Sequence, residues 1–119
     1  MTDKMDIRQQ ILSCGFSGLI TVRNEGQYKA RFEVSYQLNT IELSQNSGRF
    51  GSGEQRSLNI PKGAKNLVIK ADEQINSHPN IWKEIFTIKY PYAGERNFRL
   101  WGTNQYPRYG LIIPEYNKA

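Results

Sequence analysis

Residues 28–38 read YKARFEVSYQL, the clearest two-residue alternation in the chain. Apolar or aromatic side chains occupy every second position, and charged or polar side chains lie between them. Because successive side chains of a β-strand point to opposite faces, the pattern predicts a strand with one buried face and one wet face. Such a strand is typical of an antiparallel sheet. The predicted inward set is Tyr28, Ala30, Phe32, Val34, Tyr36 and Leu38.

Shorter strand-like segments lie on both sides of this stretch, and turn residues separate them at intervals of roughly ten residues. Together with 28–38 they predict an all-β fold, an antiparallel β-sandwich of about seven or eight strands. A glycine-rich stretch at 44–53 is predicted as a flexible loop, and a polar stretch at 72–80 as a second loop. The segments are 19–23, 39–43, 57–60, 66–71, 81–90, 97–101 and 106–113.

The length of 119 residues suits one domain. We expect an N-terminal segment at 1–18, the sandwich at 19–116 and a frayed tail at 117–119. The N-terminal segment is predicted to contain a short helix, because Ile7 and Ile11 lie one helical turn apart. A helix this short depends on docking against the rest of the chain.

The charge is positive but not clustered. The chain has 16 lysine and arginine residues against 11 acidic residues, a formal net charge of +5, and the two signs are interleaved. Attraction to anionic surfaces fits this balance, whereas nucleic-acid binding requires a basic cluster that the sequence lacks. We therefore expect no nucleic-acid partner.

The sequence contains few of the residues and motifs that form catalytic or metal sites. Cys14 is the only cysteine and His78 the only histidine, so the chain builds neither an intrachain disulfide nor a structural zinc site. It contains no phosphate-binding glycine loop and no Gly-x-Ser-x-Gly nucleophile motif. We expect no enzyme activity and no cofactor.

The N-terminal residues 1–10 are polar and lack the apolar core of a signal peptide. No apolar run in the sequence approaches the length of a membrane-spanning helix. If the protein leaves its cell, it does so by lysis, by a specialised route or after removal of a leader that precedes this sequence.

Residues 101–107 read WGTNQYP, a strand end that runs into a turn. Gly102 tolerates the positive φ that such a turn requires, and Trp101 and Tyr106 bracket the turn. An exposed loop between two aromatics suits contact with a membrane interface or a sugar. The other interpretation is a hairpin whose two aromatics belong to the core, which is the more frequent fate of aromatic side chains.

Three blocks of the sequence resemble the C-terminal domain of the cholesterol-dependent (thiol-activated) cytolysins. Residues 26–36, GQYKARFEVSY, resemble the family's opening strand, and residues 60–71, IPKGAKNLVIKA, resemble its IPLPPNAKNIKIKA segment. WGT and YP within 101–107 resemble its WGTTLYP loop. The blocks keep the order and spacing of the family across residues 27–107. The resemblance implies a β-sandwich that meets a target membrane with the loops at one end.

Two family motifs are altered in this chain. Asn104 and Gln105 occupy the places of the Thr-Leu pair that recognises cholesterol, so two amides replace a hydroxyl and an aliphatic side chain. Residues 73–83, EQINSHPNIWK, fall in the place of the ECTGLAWEWWR undecapeptide. Gln74 replaces its reactive cysteine, Trp82 is the one remaining tryptophan and Lys83 replaces its arginine. We therefore expect that thiol activation does not carry over, and that these 119 residues do not by themselves act as a complete cytolysin.

The resemblance implies a non-enzymatic protein that binds the surface of target cells, is secreted or released, and serves as a toxin or toxin component. Its expected partners are a membrane lipid or cell-surface glycan, a larger pore-forming protein, and copies of itself paired through an edge strand such as 39–43. The alternative is a module that binds a glycan or protein receptor without membrane or cytolytic activity.

The loops around 74–83 and 101–108 are expected to supply the binding side chains. Their amides suit polar contacts, their aromatic rings suit membrane interfaces and sugar faces, and their basic groups suit anionic targets. Trp82 and Trp101 are equally compatible with positions in the core. The predicted binding residues are His78, Trp82, Lys83, Thr103, Asn104, Gln105, Tyr106 and Arg108.

Overall fold

The structure is a computed structural model that describes residues 18–112. The predicted N-terminal helix and Cys14 lie outside these residues. Within 18–112, no helix is long and apolar enough to cross a bilayer. The eight strands are β1 (Gly18–Asn24), β2 (Ala30–Leu38), β3 (Ile41–Asn46), β4 (Gln55–Ile60), β5 (Lys65–Ile75), β6 (His78–Tyr92), β7 (Arg96–Gly102) and β8 (Pro107–Ile112).

The strands form two four-stranded sheets, ordered β4-β1-β7-β8 and β3-β2-β5-β6. The predicted all-β sandwich is confirmed, and neighbouring strands pair antiparallel in all described pairs but one. β1 and β7 run parallel, with Ile20 in register with Arg96. The alternation of side chains could not reveal this direction, because it reports which face a residue occupies and not which way its neighbour runs.

The core lies between the two sheets. The inward face predicted for 28–38 is confirmed, since five of its six side chains are buried and Leu38 packs against the core from its edge. Ile20 and Val22 of β1 and Phe98 of β7 fill the space from the opposite sheet with no exposed surface. Phe98 stacks on Phe86 of β6 with ring centroids 5.1 Å apart, which joins the sheets through aromatic contact.

The prediction of a flexible loop at 44–53 is wrong in two respects. β3 extends to Asn46, and Phe50 is only 2% exposed. The backbone of Phe50 exchanges two hydrogen bonds of 2.9 Å with Ala30, and its ring meets that of Phe32 edge-on at 6.3 Å. The glycines made the segment resemble a mobile loop, but burial of one large aromatic ring fixes it against β2.

The loop predicted at 72–80 is a β-hairpin, since β5 continues to Ile75 and β6 begins at His78. The polar composition hid these strands, because Asp72, Glu73 and Gln74 are buried despite their polarity. The hairpin brings the chain to the same end of the sandwich as the β7–β8 turn.

Candidate functional site

Three connections meet at one end of the sandwich, and we call this end the tip. It comprises residues 25–29 between β1 and β2, 76–77 between β5 and β6, and 103–106 between β7 and β8. The Gln27 amide donates to the Gly102 carbonyl at 3.1 Å, and the Gln74 amide donates to the Lys29 carbonyl at 2.8 Å. These backbone bonds tie both sheets together at the tip.

The β7–β8 turn has little conformational freedom. Gly102 has a φ of +89°, and a Cβ there would overlap the carbonyl oxygen of Tyr106. The Thr103 amide donates to the Tyr106 carbonyl, and the Tyr106 amide donates to both the carbonyl and the hydroxyl of Thr103, at 3.1 to 3.3 Å. The glycine inferred from the sequence is thus required by both backbone conformation and space.

Asn104 joins the β7–β8 turn to the β5–β6 hairpin. Its Nδ2 donates to Glu73 Oε1 at 2.6 Å and to the Gln74 carbonyl at 2.9 Å. Its Oδ1 accepts from the Asn76 amide at 2.9 Å. Both ends of the amide are therefore engaged inside the tip. The structure gives Asn104, predicted as a residue that contacts the target, an internal role that fixes the shape of the tip.

Glu73 is fully buried at the end of β5. Its Oε2 has no hydrogen-bond partner in the described part of the chain, although Oε1 accepts from Asn104. Burial raises the pKa of the Glu73 carboxyl, whereas the Asn104 hydrogen bond and the Lys83 charge act in the opposite direction. The pKa of the Tyr28 phenol is also raised, mainly by burial and to a lesser extent by the charge of Glu73. The Tyr28 hydroxyl donates to the Trp101 carbonyl at 2.7 Å.

A groove of about 630 Å³ lies between the β5–β6 and β7–β8 turns. Tyr106 is 71% exposed beside it, Gln105 and Lys83 are exposed, and Asn104 forms part of its wall. The groove thus brings together four of the eight predicted binding residues. It is lined by Ile75, Asn76, Ser77, Lys83, Asn104, Gln105 and Tyr106.

The two tryptophans are each partly buried and lie outside the core cluster. The Arg31 guanidinium lies 4.1 Å from the ring centroid of Trp82, and that of Arg99 lies 4.6 Å from Trp101. Arg31 also pairs with Asp72 at 3.2 Å. Cation–π contact therefore covers both rings and keeps them against their strands.

The other predicted residues lie around the groove without lining it. His78 begins β6, is exposed, and shares a 3.0 Å hydrogen bond with the Ser77 hydroxyl. Arg108 is exposed on β8 in register with Trp101. Thr103 is exposed, but its hydroxyl accepts from the Tyr106 amide.

Sequence reasoning missed the polar network in which Asn104 links buried Glu73 to the backbone of exposed Asn76. The signal was present for Glu73, because the inward positions Leu67, Ile69 and Ala71 continue to residue 73 at a spacing of two. Nothing in the sequence showed that Asn104 would reach it from β7–β8.

The chemistry of the tip is that of a binding surface. It offers side-chain amides, one exposed phenol ring and the Lys83 ammonium group. Within residues 18–112, no group of three or more histidine, cysteine, aspartate or glutamate residues is placed to hold a metal ion. Within the tip, Glu25 pairs with Arg99 and with Arg23, and these partners lower the pKa of its carboxyl.

Comparison with known proteins places this geometry in a family. Residues 19–108 match the thiol-activated cytolysin beta sandwich domain. The chain belongs to this family. The resemblance drawn from the three sequence blocks is confirmed.

Similar proteins share the domain but are mostly far longer. Tetanolysin of Clostridium tetani is 29% identical over 104 residues, which are 77% of this chain and 20% of tetanolysin. The chain thus spans about a fifth of the curated relative that it matches. Suilysin from Streptococcus suis superposes with a TM-score of 0.64 at 21% identity, over 85% of this chain and 24% of suilysin.

One solved structure corresponds to this domain alone. The membrane-binding domain of pneumolysin superposes with a TM-score of 0.64 at 16% identity, over 83% of this chain and 98% of that domain. At this identity the match shows the fold. The two chains therefore share the sandwich fold over most of their length.

Proposed function

We propose that this protein is a non-enzymatic module that binds the membrane surface of target cells through the tip, as a toxin or toxin component. Membership of the cytolysin sandwich family over residues 19–108 supports this role. The match to nearly the whole membrane-binding domain of pneumolysin supports it further. Like those toxins, the protein would act outside the cell that makes it.

The observation that carries the proposal is the pinned tip with its exposed groove. Internal hydrogen bonds use both ends of the Asn104 amide and hold the β7–β8 turn against the β5–β6 hairpin. The backbone bonds of Gln27 and Gln74 hold the 25–29 connection beside them. Gln105, Tyr106 and Lys83 project from this fixed base. A preorganised surface binds with less loss of conformational entropy, which favours recognition by few side chains.

These side chains match the chemistry of a lipid head-group layer. A tyrosine places its ring at the boundary between apolar and wet regions, and a lysine is attracted to anionic head groups. Gln105 supplies hydrogen bonds in place of the aliphatic side chain of the family motif. The proposed binding is therefore shallow, at the level of the head groups, and does not depend on an apolar side chain entering the sterol layer.

A glycan is the second candidate target. Asn76 and Gln105 present amides to the groove beside the exposed ring of Tyr106, and sugars are recognised by such combinations of aromatic and amide contacts. Pneumolysin has also been described as a sugar binding protein. In this alternative the module binds a carbohydrate receptor and leaves the lipid untouched.

Liposome sedimentation with and without cholesterol and anionic lipid tests the proposal. We expect the wild type to sediment with liposomes and the Gln105→Ala/Tyr106→Ala variant to lose most of this binding. The matched control is Gln55→Ala/Tyr92→Ala, which removes the same residue types from exposed sites on β4 and β6 outside the tip.

Dye release from the same liposomes, alone and with a complete cytolysin added, shows whether the module forms pores as an oligomer or acts with a larger pore-forming partner. If the wild type binds none of the liposomes, membrane recognition is refuted. A glycan array would then test the second candidate, with loss of binding in the same tip variant as the expected result.

A further inference from the structure

We propose that Glu73 is a positioning residue for target binding at the tip. Its buried carboxylate holds the 103–106 turn against the β5–β6 hairpin through Asn104, and protonation of the carboxylate loosens this hold. Binding through the tip therefore weakens in mild acid. The inference rests on the proposed function, because it concerns the same surface.

The geometry gives the Glu73 carboxylate control over the turn. Asn104 is the residue whose side chain links the 103–106 turn to the β5–β6 hairpin among the described hydrogen bonds, and its 2.6 Å contact with Glu73 Oε1 is the shortest of its three. The neighbouring Gln105 and Tyr106 side chains make no described hydrogen bond that would replace it. The position of the exposed binding side chains therefore depends on Asn104, and the bond to Glu73 is the one of its three that a change of charge can weaken.

The charge on Glu73 decides the strength of the pair. A hydrogen bond to a carboxylate is shorter and about twice as strong as one to a neutral carbonyl. Protonation at Oε2, which has no partner in the described chain, leaves the Asn104 contact with Oε1 in place but removes the charge that strengthens it. The expected difference corresponds to a change of about fivefold in the population of the pinned turn.

The groups that face Glu73 do not cancel its charge fully. Lys83 of β6 lies in register with it and is exposed, while Ala30 of β2 lies in register on the other side without a charge. Tyr28 faces it from the β1–β2 connection as a neutral phenol, and Asn104 contributes only a dipole. Lys83 is thus the one described cation that faces Glu73 from the elements packed against it, and water screens its charge.

Burial sets the pH range of this response. Because burial raises the pKa of Glu73, the carboxyl takes up a proton at milder acidity than an exposed glutamate does. The same shift stabilises the fold as the pH falls, since the folded state then binds more protons than the unfolded state. Loss of target binding together with gain of stability distinguishes this response from acid unfolding.

The test compares Glu73→Gln, which keeps the shape and removes the charge, with Glu84→Gln, which removes an exposed carboxylate from β6. Liposome affinity is measured from neutral to mildly acidic pH. We expect the wild type and Glu84→Gln to lose about fivefold in affinity on acidification, and Glu73→Gln to show the weak affinity at every pH. Thermal unfolding of each variant verifies that it is folded.

A second readout does not require binding. The NMR signals of the Asn104 side-chain amide and the Asn76 backbone amide should titrate with one midpoint in the wild type and in Glu84→Gln, and not in Glu73→Gln. If liposomes bind but Glu73→Gln matches the wild type at neutral pH, the positioning role is overturned and the proposed function stands. If nothing binds liposomes, the proposed function fails, and the NMR titration alone supports or overturns the coupling.

Discussion

The core and the tip of this sandwich are held together by different interactions. In the core, many apolar side chains from both sheets pack together. The stacked rings of Phe86 and Phe98 are two of the sixteen buried hydrophobic residues found within 18–112. In the tip, three hydrogen bonds of one side chain, that of Asn104, join the β7–β8 turn to the β5–β6 hairpin. The core is redundant, whereas the tip depends on single residues.

This difference predicts that stability and binding separate under mutation. Burial of apolar surface provides most of the free energy of folding, so changes in the core should act on the whole domain. Polar contacts contribute less energy but fix geometry, so changes in the tip should alter the binding surface in a domain that stays folded.

The largest effect is expected for Phe98→Ala. The ring is fully buried and contacts Phe86 from the opposite sheet, so its removal should lower the free energy of unfolding by about 3–5 kcal/mol. Chemical denaturation measures this loss, and Tyr92→Ala is the control because its aromatic side chain is 66% exposed. A loss below about 1 kcal/mol would show that the core does not depend on contact between the sheets.

A smaller effect on stability and a larger one on the tip are expected for Asn104→Ala. The change leaves the Glu73 carboxylate and the Asn76 amide without their partner, which should lower the free energy of unfolding by about 2 kcal/mol. Hydrogen exchange should speed up at Asn76 and remain slow at core amides such as that of Ile69. The control is Gln105→Ala, since Gln105 is exposed, and this change should alter stability by less than about 0.5 kcal/mol. Uniformly faster exchange would mean that tip and core are one cooperative unit.

The sequence predicted the core better than the tip, and the reason is physical. The alternation in residues 28–38 predicts an inward face because a strand repeats every two residues, and the structure buries that face. Phe50 was missed because no period marks a single aromatic ring in a glycine-rich segment. The parallel pairing of β1 with β7 was missed because periodicity carries no information about strand direction.

At the tip, sequence reasoning named two segments that the structure brings together, but not the contacts that each residue makes. The resemblance placed Asn104 and Gln105 at the end of the domain, and the structure separates them into an internal link and an exposed side chain. This division depends on a contact between residues 73 and 104, which only the folded chain brings together. Local patterns do not encode such contacts between distant strands.

The smallest effect, and the sharpest test of the comparison, is the pH dependence of stability in Glu73→Gln. The buried carboxylate has a raised pKa, so its ionised form opposes folding, and each unit of elevation corresponds to about 1.4 kcal/mol. In acid the wild-type carboxyl is protonated and the two proteins should be nearly equal in stability. As the pH rises to neutrality the wild type loses stability, so Glu73→Gln should become the more stable of the two proteins. Denaturation at several pH values measures this divergence, with Glu84→Gln as the control.

A divergence of this sign would mean that the ionised Glu73 carboxylate is present in the folded protein although it lowers the free energy of unfolding. Ionised Glu73 would then lower the free energy of unfolding while strengthening its hydrogen bond to Asn104. In the core the two effects do not oppose each other, because the same apolar contacts stabilise the fold and fix its shape. A stability difference that does not change with pH would show that Glu73 has the same protonation state in the folded and unfolded chains. The charge of Glu73 would then play no part in holding the tip. The core and the tip would differ only in how many residues stabilise each of them.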